Sequence, residues 1–325
     1  MAREERRKGR RAWVRYARIW VEGKWWRWDE ERQILMDGKG EEWGKGREGE
    51  EARTGKGEEK KREVGGERRQ DRKEEGIKIG FWNVVGVLGK DEVFWKRTKE
   101  WDVMGLVETW LEEKDWEKVK GRVPEGYSWR MQGARRESKR GRAIGGILMG
   151  VREGLEGEKE WWEEEGLMVR EVRWKGENWM IGTVYIRSGI GGIIRKLAEK
   201  KEERGEVKGW VVGGDFNARI GERGGLEEGE EGSGRRSKDK RINRQGKELV
   251  RWVGEEGWGI MNGAKEGDKE GEMTFVVERG ELVIDYVLGD GAAWERGERM
   301  EVGEEVESDH QALTVWMGRG REEEE

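Results

Sequence analysis

The chain has 325 residues, 43% of them charged and 33% hydrophobic, with a net charge of −5. That is length for one large domain or two ordinary ones with a sizeable part left unpacked, and the near-balanced charge excludes a chain-wide basic footprint for nucleic acid, so such contact has to come from local patches. There is no cysteine, which excludes disulfides and thiolate metal sites, and no apolar run approaches the roughly 18 residues of a membrane span.

Residues 1–75 are rich in charge and glycine without sustained periodicity. Arg3 to Arg18 is mostly basic, Trp20, Trp25, Trp26 and Trp28 suit a short amphipathic element, and Asp37 to Glu75 is low-complexity Gly/Glu/Lys/Arg. This extension is expected to be disordered, as a solvated tail in preference to a basic arm on nucleic acid. Order is expected from Gly76. Ile77, Ile79 and Phe81 alternate with Lys78 and Gly80, a half-buried strand ending at Asn83. Asp91 to Trp101 reads as a helix with Asp91 as N-cap. Val103 to Val107 is a second strand, with Glu108 at its end. Ala143 to Val151 is an apolar strand, and Leu167 to Trp174 with Asn178 to Tyr185 forms a strand pair around Lys175-Gly176-Glu177.

Ile193 to Glu203 reads as a helix with one apolar face. Trp210, Val211 and Val212 then form a buried strand, closed by Gly213 and Gly214, which delivers Asp215 and Asn217 to one side of the chain. A carboxylate beside an amide donor at a sheet rim suits a general base next to a phosphoryl contact; an Asx turn capping backbone groups is the alternative for this tetrapeptide read alone. Gly221 to Arg241 is a charged loop, and Arg244 to Glu255 a helix. Gly259–Met261, Met273–Val277, Leu282–Leu288 and Gln311–Met317 are the later strands, before an acidic tail at 318–325.

Trp occurs 21 times and Gly 55 times, whereas Pro and His occur once each. The abundant residues have purine-rich codons and the scarce ones need cytosine. We hypothesise a purine-biased coding strand, which makes many of the tryptophans compositional drift and gives the lone His310 more weight; ordinary pyrimidine content in the gene would end the idea.

Asn83, Glu108, Tyr185, Asp215 with Asn217, and Asp285 all fall at predicted strand ends or in strands, and Ser308-Asp309-His310 leads into the last one. In this order, Gly214-Asp-Phe-Asn-Ala-Arg219, Asp239-Lys-Arg-Ile-Asn243, Thr274-Phe275, Ile284-Asp285-Tyr286 and Ser308-Asp-His310 resemble the endonuclease/exonuclease/phosphatase superfamily. More narrowly they resemble the endonuclease domain of non-LTR (LINE-type) retrotransposons, over about residues 76–317. The resemblance implies a DNase I-like four-layer α/β/β/α sandwich that cleaves phosphoesters with Mg²⁺, or Mn²⁺ in its place. By position it implies Glu108 as principal metal ligand, supported by Asn83 and Asp309. It makes Asp215 the group that orients or deprotonates water, and Asn217 a donor to a phosphoryl oxygen. Tyr185 would support the transition state, and His310 paired with Asp285 would contact the scissile phosphate. Thr274 and Ser308 would sit near that phosphate. Val84-Val85 follows Asn83 where repair-type relatives place an acidic residue, a departure that favours the retrotransposon branch. Ile186-Arg187-Ser188 lacks the proline that commonly follows the tyrosine.

Two basic clusters are candidates for backbone phosphates: Arg135, Arg136, Lys139, Arg140 and Arg142, and Arg235, Arg236, Lys238, Lys240 and Arg241. The expected function is a metal-dependent DNA endonuclease of a LINE-type element, acting in the nucleus. It would leave a 3′-hydroxyl for a reverse transcriptase that this length of chain does not accommodate. A phosphatase or repair nuclease of the same superfamily, and a catalytically silent nucleic-acid-binding remnant, are the alternatives.

Overall fold

The computed structural model describes residues 12–15, 18–21, 24–29, 34–37, 76–137, 141–204, 207–226, 234–278, 280–303 and 307–318. They fall in two compact units, Met1–Glu75 and Gly76–Glu325. In the first, Ala12–Arg15 (β1), Arg18–Val21 (β2), Lys24–Asp29 (β3) and Ile34–Asp37 (β4) pair as an antiparallel meander. Aromatic and β-branched residues in these segments favour extended backbone, and Trp26 is buried. Within the extension of residues 1–75 these four strands are the described residues, and the rest, 38–75 included, lies outside them.

The second unit is built on two six-stranded sheets. The first sheet holds Ile77–Asn83 (β5), Val103–Val107 (β6), Tyr127–Gln132 (β7), Ile147–Arg152 (β8), Gly297–Val302 (β17) and Leu313–Met317 (β18), in the order β17-β18-β5-β6-β8-β7. The second holds Glu156–Glu164 (β9), Leu167–Trp174 (β10), Glu177–Tyr185 (β11), Gly209–Asp215 (β12), Gly259–Ile260 (β13) and Asp285–Gly289 (β16), in the order β13-β16-β12-β11-β10-β9. A separate hairpin joins Phe275–Val277 (β14) to Gly280–Leu282 (β15).

Alternation along the strands sorts the apolar side chains into three cores. Ile79, Phe81, Val103, Val107 and Met149 of the first sheet meet Met168, Val172, Trp179, Ile181 and Val287 of the second. The opposite face of the first sheet, with Trp82, Met104, Leu106 and Leu148, packs on Phe94 and Trp95 of the helix Glu92–Thr98 (α1) and on Val119 of Trp116–Val119 (α2). The outer face of the second, with Val169, Met180, Trp210 and Val212, packs on Ile194 and Leu197 of Gly191–Arg204 (α3) and on Leu249, Trp252 and Val253 of Arg244–Glu255 (α4). Three cores between four layers make the α/β/β/α sandwich. Glycines sit where the sheets come closest: a Cβ on Gly213 would lie 2.3 Å from the Phe81 ring, and one on Gly105 would lie 2.0 Å from Thr183 Oγ1.

α1 starts as the sequence predicts, with the Asp91 side chain accepting from Phe94 N at 3.0 Å. The predicted strand Leu282–Leu288 instead breaks in two. Asp285 opens β16, and is not an interior residue of a longer strand. A short helix, Gly291–Arg296 (α5), and the strands β7, β9 and β17 were not predicted. No helix among the described residues is long and apolar enough to cross a membrane.

Candidate active site

Two parallel pairs set the site. β5 and β6 are joined through α1, and β11 and β12 through α3, so the carboxyl ends of each pair share one edge of their sheet, where function gathers in such crossovers. β5 ends in Asn83, β6 is followed by Glu108, β11 ends in Tyr185 and β12 in Asp215. Because β16 runs antiparallel to β12, its first residue lies at the same edge, and Tyr185, Asp215 and Asp285 are in register on three adjacent strands. His310 arrives just before β18, which runs antiparallel to β5 with Leu313 aligned to Phe81.

Three hydrogen bonds then cross from one sheet to the other. Asn83 Nδ2 donates to Asp215 Oδ2 at 3.0 Å. The Tyr185 hydroxyl donates to Glu108 Oε1. His310 Nδ1 lies 3.0 Å from both carboxylate oxygens of Asp285. Asp215, Asp285 and His310 are only 1%, 2% and 6% exposed, and their donor atoms lie within 4.8 Å of one another. That is close enough to hold an ion, although the Asp285–His310 bond occupies two of the three partners. Asn83 also approaches His310 Nε2 at 3.3 Å, and its own oxygen accepts from Val85 N at 3.2 Å.

The electrostatics follow from burial. Desolvation, reinforced by the Asp285 charge, pushes the Asp215 carboxyl up to about 7, against His310 and the hydrogen bonds from Asn217 N and Asn83. For His310 burial works downward, but Asp285, Asp215 and Asp309 outweigh it and hold the imidazole up at about 9. The Asn83 contact favours the other form, because Nε2 can accept there only when it carries no proton. Burial, and then the bond to Glu108, raises Tyr185 well above the ordinary phenol range, so it stays protonated.

Asn217 is exposed and left-handed (φ 46°), with its amide anchored on Ile186 O at 2.9 Å, while its backbone N–H donates to Asp215 Oδ1 at 2.9 Å. The Asx turn and the outward-facing amide thus coexist. Glu108 (φ 50°), Val85 (φ 49°) and Trp110 (φ 56°) are left-handed as well; such backbone in non-glycine residues gathers at functional sites. Asp309 Oδ1 is buried with no hydrogen-bond partner.

Several sequence expectations need correction. Thr274 is fully buried; its hydroxyl donates to Asp285 Oδ2 at 2.8 Å and accepts from Ile284 N and Asp285 N. Ser308 donates to Asn83 O at 2.7 Å and accepts from His310 N. Both hydroxyls brace site residues and have no donor left for a phosphate. Arg235 is 3% exposed and donates to Gly221 O and Arg223 O, so it braces a loop in place of reaching DNA. Arg236, Arg135 and Arg136 form surface ion pairs with Glu270, Glu165 and Glu112 and stay exposed to solvent, which leaves the expectation for them open; Arg140 lies outside the described residues. Nothing in the sequence distinguishes Trp110 from the other tryptophans. In the structure the Arg142 guanidinium lies 3.9 Å above its ring centre. A cleft of about 770 Å³ runs beside Tyr185, lined among others by Gln132, Gly145, Arg187 and Lys196.

No protein-family model matches the chain. No curated protein does either. Solved structures of the same shape include the endonuclease domain of TRAS1, a telomere-specific non-LTR retrotransposon, with 16% identity over 74% of this chain and 98% of that one and a TM-score of 0.51. They also include the AP endonuclease LMAP from Leishmania major, with 15% identity, 75% and 88% coverage and a TM-score of 0.52. A third is the 3′ phosphatase NExo from Neisseria bound to a product DNA hairpin, with 15% identity, 75% and 100% coverage and a TM-score of 0.52. The chain has the DNase I-like fold of the endonuclease/exonuclease/phosphatase proteins. Among them is an endonuclease domain of a non-LTR retrotransposon, the kind of domain that the motifs resemble.

Proposed function

We propose that this chain is a divalent-metal-dependent phosphodiesterase that nicks DNA, leaving a 3′-hydroxyl to prime a reverse transcriptase of the same element in the nucleus. The observation that carries the reading is the set of three hydrogen bonds joining Asn83 to Asp215, Tyr185 to Glu108 and His310 to Asp285 across the two sheets. They gather an acid, a base and a phenol at one edge, from residues spread over more than two hundred positions.

The residues suit a hard cation. Glu108 and Asp309 offer carboxylate oxygens, and Asp309 Oδ1 is buried without a partner, as a ligand awaiting an ion would be. Mg²⁺ or Mn²⁺ there would supply Lewis-acid stabilisation of negative charge on the phosphate. The chain's own groups do the rest. Asp215, held near neutrality by burial, accepts the proton of the attacking water. Asn217, anchored through one N–H, has the other for a phosphoryl oxygen. His310, fixed by Asp285 and held cationic by the carboxylates around it, offers Nε2 to a phosphate that displaces the Asn83 contact and balances the extra negative charge as the nucleophile adds. Tyr185, protonated throughout, keeps Glu108 in place.

Supercoiled plasmid tests the reading. Nicking with Mg²⁺, stopped by EDTA and lost in Asp215→Ala and in His310→Ala, is the expected result. Asn217→Ala should lower turnover more than DNA affinity. Salt-sensitive binding without nicking would make the chain a silent remnant, and phosphate release from small monoesters a phosphatase.

A further inference from the structure

The loops bearing Glu108 and Arg142 are tied together. Thr109 N and Trp110 N donate to Gly146 O and Gly145 O at 3.2 and 3.0 Å, and Gly86 N donates to Glu108 O at 2.8 Å. A Cβ on Gly145 would lie 3.6 Å from the ring of Tyr185, whose hydroxyl holds Glu108. Trp110 therefore sits at the margin of the site. Its indole packs against Gly86, where a Cβ would come within 2.4 Å of the ring. Over the ring lies the exposed guanidinium of Arg142, at 3.9 Å.

Among the described residues, the nearby Arg135, Arg136 and Arg187 pair with Glu165, Glu112 and Glu137. Among the described residues no carboxylate pairs with Arg142. A guanidinium stacked on an aromatic face keeps its in-plane N–H groups free for an anion, and stacking removes the freedom a solvated arginine would lose on binding. Val85, Glu108 and Trp110 all have left-handed backbone, which in non-glycine residues gathers at functional sites.

We infer that Arg142, seated on Trp110, grips a backbone phosphate of a polynucleotide next to the bond under attack, and so favours polymeric substrates over small phosphoesters. The inference rests on the phosphodiesterase reading for its second half only. Binding of a 20-base-pair DNA duplex by anisotropy, in EDTA and over a salt series, tests the first half. Arg142→Ala should flatten the slope of log affinity against log salt by about 0.9, the worth of one neutralised phosphate on B-form DNA. Arg142→Lys should restore the slope. Trp110→Ala should weaken binding about two- to fivefold, as loss of an exposed cation–π contact implies. With Mg²⁺, the loss of kcat/KM in Arg142→Ala should be larger on plasmid than on bis(p-nitrophenyl) phosphate. An unchanged salt slope, an equal loss on both substrates, or a wild-type chain that does not bind duplex overturns the inference. A wild-type chain that binds with the expected slopes but hydrolyses neither substrate overturns the phosphodiesterase reading and leaves the Arg142 contact standing.

Discussion

Asp215 carries two opposed demands: it accepts from Asn83 and from Asn217 N, yet it is almost wholly buried beside Asp285. Burial and the like charge win, so its folded pKa of about 7 stands above the ordinary 3.8. A carboxyl raised by folding contributes stability that is complete below its unfolded value and is lost as pH climbs through the folded one. Without metal, wild type should therefore lose ground to Asp215→Asn between about pH 4 and pH 7 and no further above that. The Tm difference between the two, followed by thermal melts in EDTA, should move toward the variant by a few degrees over this window and then level off. A flat difference would show that the carboxyl titrates normally. His310 is raised too, so its contribution is complete below 6.5 and lost as pH rises through about 9, in the same direction but a later window. It is the only histidine, so its imidazole resonances are unambiguous by NMR. Asp285→Asn removes the strongest of the influences that raise it. The titration midpoint should fall from about 9, because burial is then opposed only by Asp215 and Asp309. These pairs were partly legible in the sequence: a carboxylate flanked by Ile284 and Tyr286 needs a partner, and one histidine existed. Neither the burial of Thr274 nor that of Arg235 was legible, because a hydroxyl or guanidinium reads as solvated until the backbone carbonyls and carboxylate around it are known.

At the scale of elements, α4 and the loop after β12 are clasped together. The Asn243 side chain caps α4 by accepting from Gly246 N at 2.7 Å, and it also accepts from Arg219 N at 3.2 Å. Its backbone N–H donates to Arg219 O at 2.9 Å. Gly246 has no room for more, since a Cβ there would lie 1.8 Å from Arg219 O. Arg219 in turn forks onto Asp239, which also accepts from Val283 N, just ahead of Asp285. Asn243→Ala should cost about 1 kcal/mol as a lost cap. It should also lower turnover, because the Asp215–Asn217 turn loses its brace. Denaturant melts and plasmid nicking check the two parts, and normal nicking in the variant would reduce Asn243 to a cap alone. The helix itself was read from the sequence to the residue. What escaped the sequence were strands with edge character: β7, β9 and β17 each end a sheet. An edge strand pairs on one side only and tolerates interleaved charge, as in Glu-Gly-Glu-Lys-Glu of β9. Its apolar period is correspondingly weak. Central strands buried on both faces, such as β6 and β12, announced themselves as continuous apolar runs.

For the whole second unit, the site is also a seam. Each sheet supplies half of it, and Glu108 and Asp309 come from the first sheet while Asp215 and Asp285 come from the second. Several acidic groups are thereby confined at one edge with few cations among them, a repulsion that the folded state bears and the unfolded chain does not. A divalent cation held by Glu108 and Asp309 would relieve it, and would bind the folded chain only, because the unfolded chain cannot bring together ligands two hundred residues apart. Stabilisation then follows ligand concentration: tenfold over Kd is worth about 1.4 kcal/mol. For a unit of this size that is a rise in Tm of about 3–6 °C. Mg²⁺ should produce this rise, EDTA should reverse it, and Glu108→Gln should abolish it while keeping its own metal-free Tm near that of wild type, since an amide oxygen can still accept from Tyr185. If the variant responds to Mg²⁺ as wild type does, the cation sits elsewhere, and the Asp215–Asp285–His310 cluster becomes the place to look.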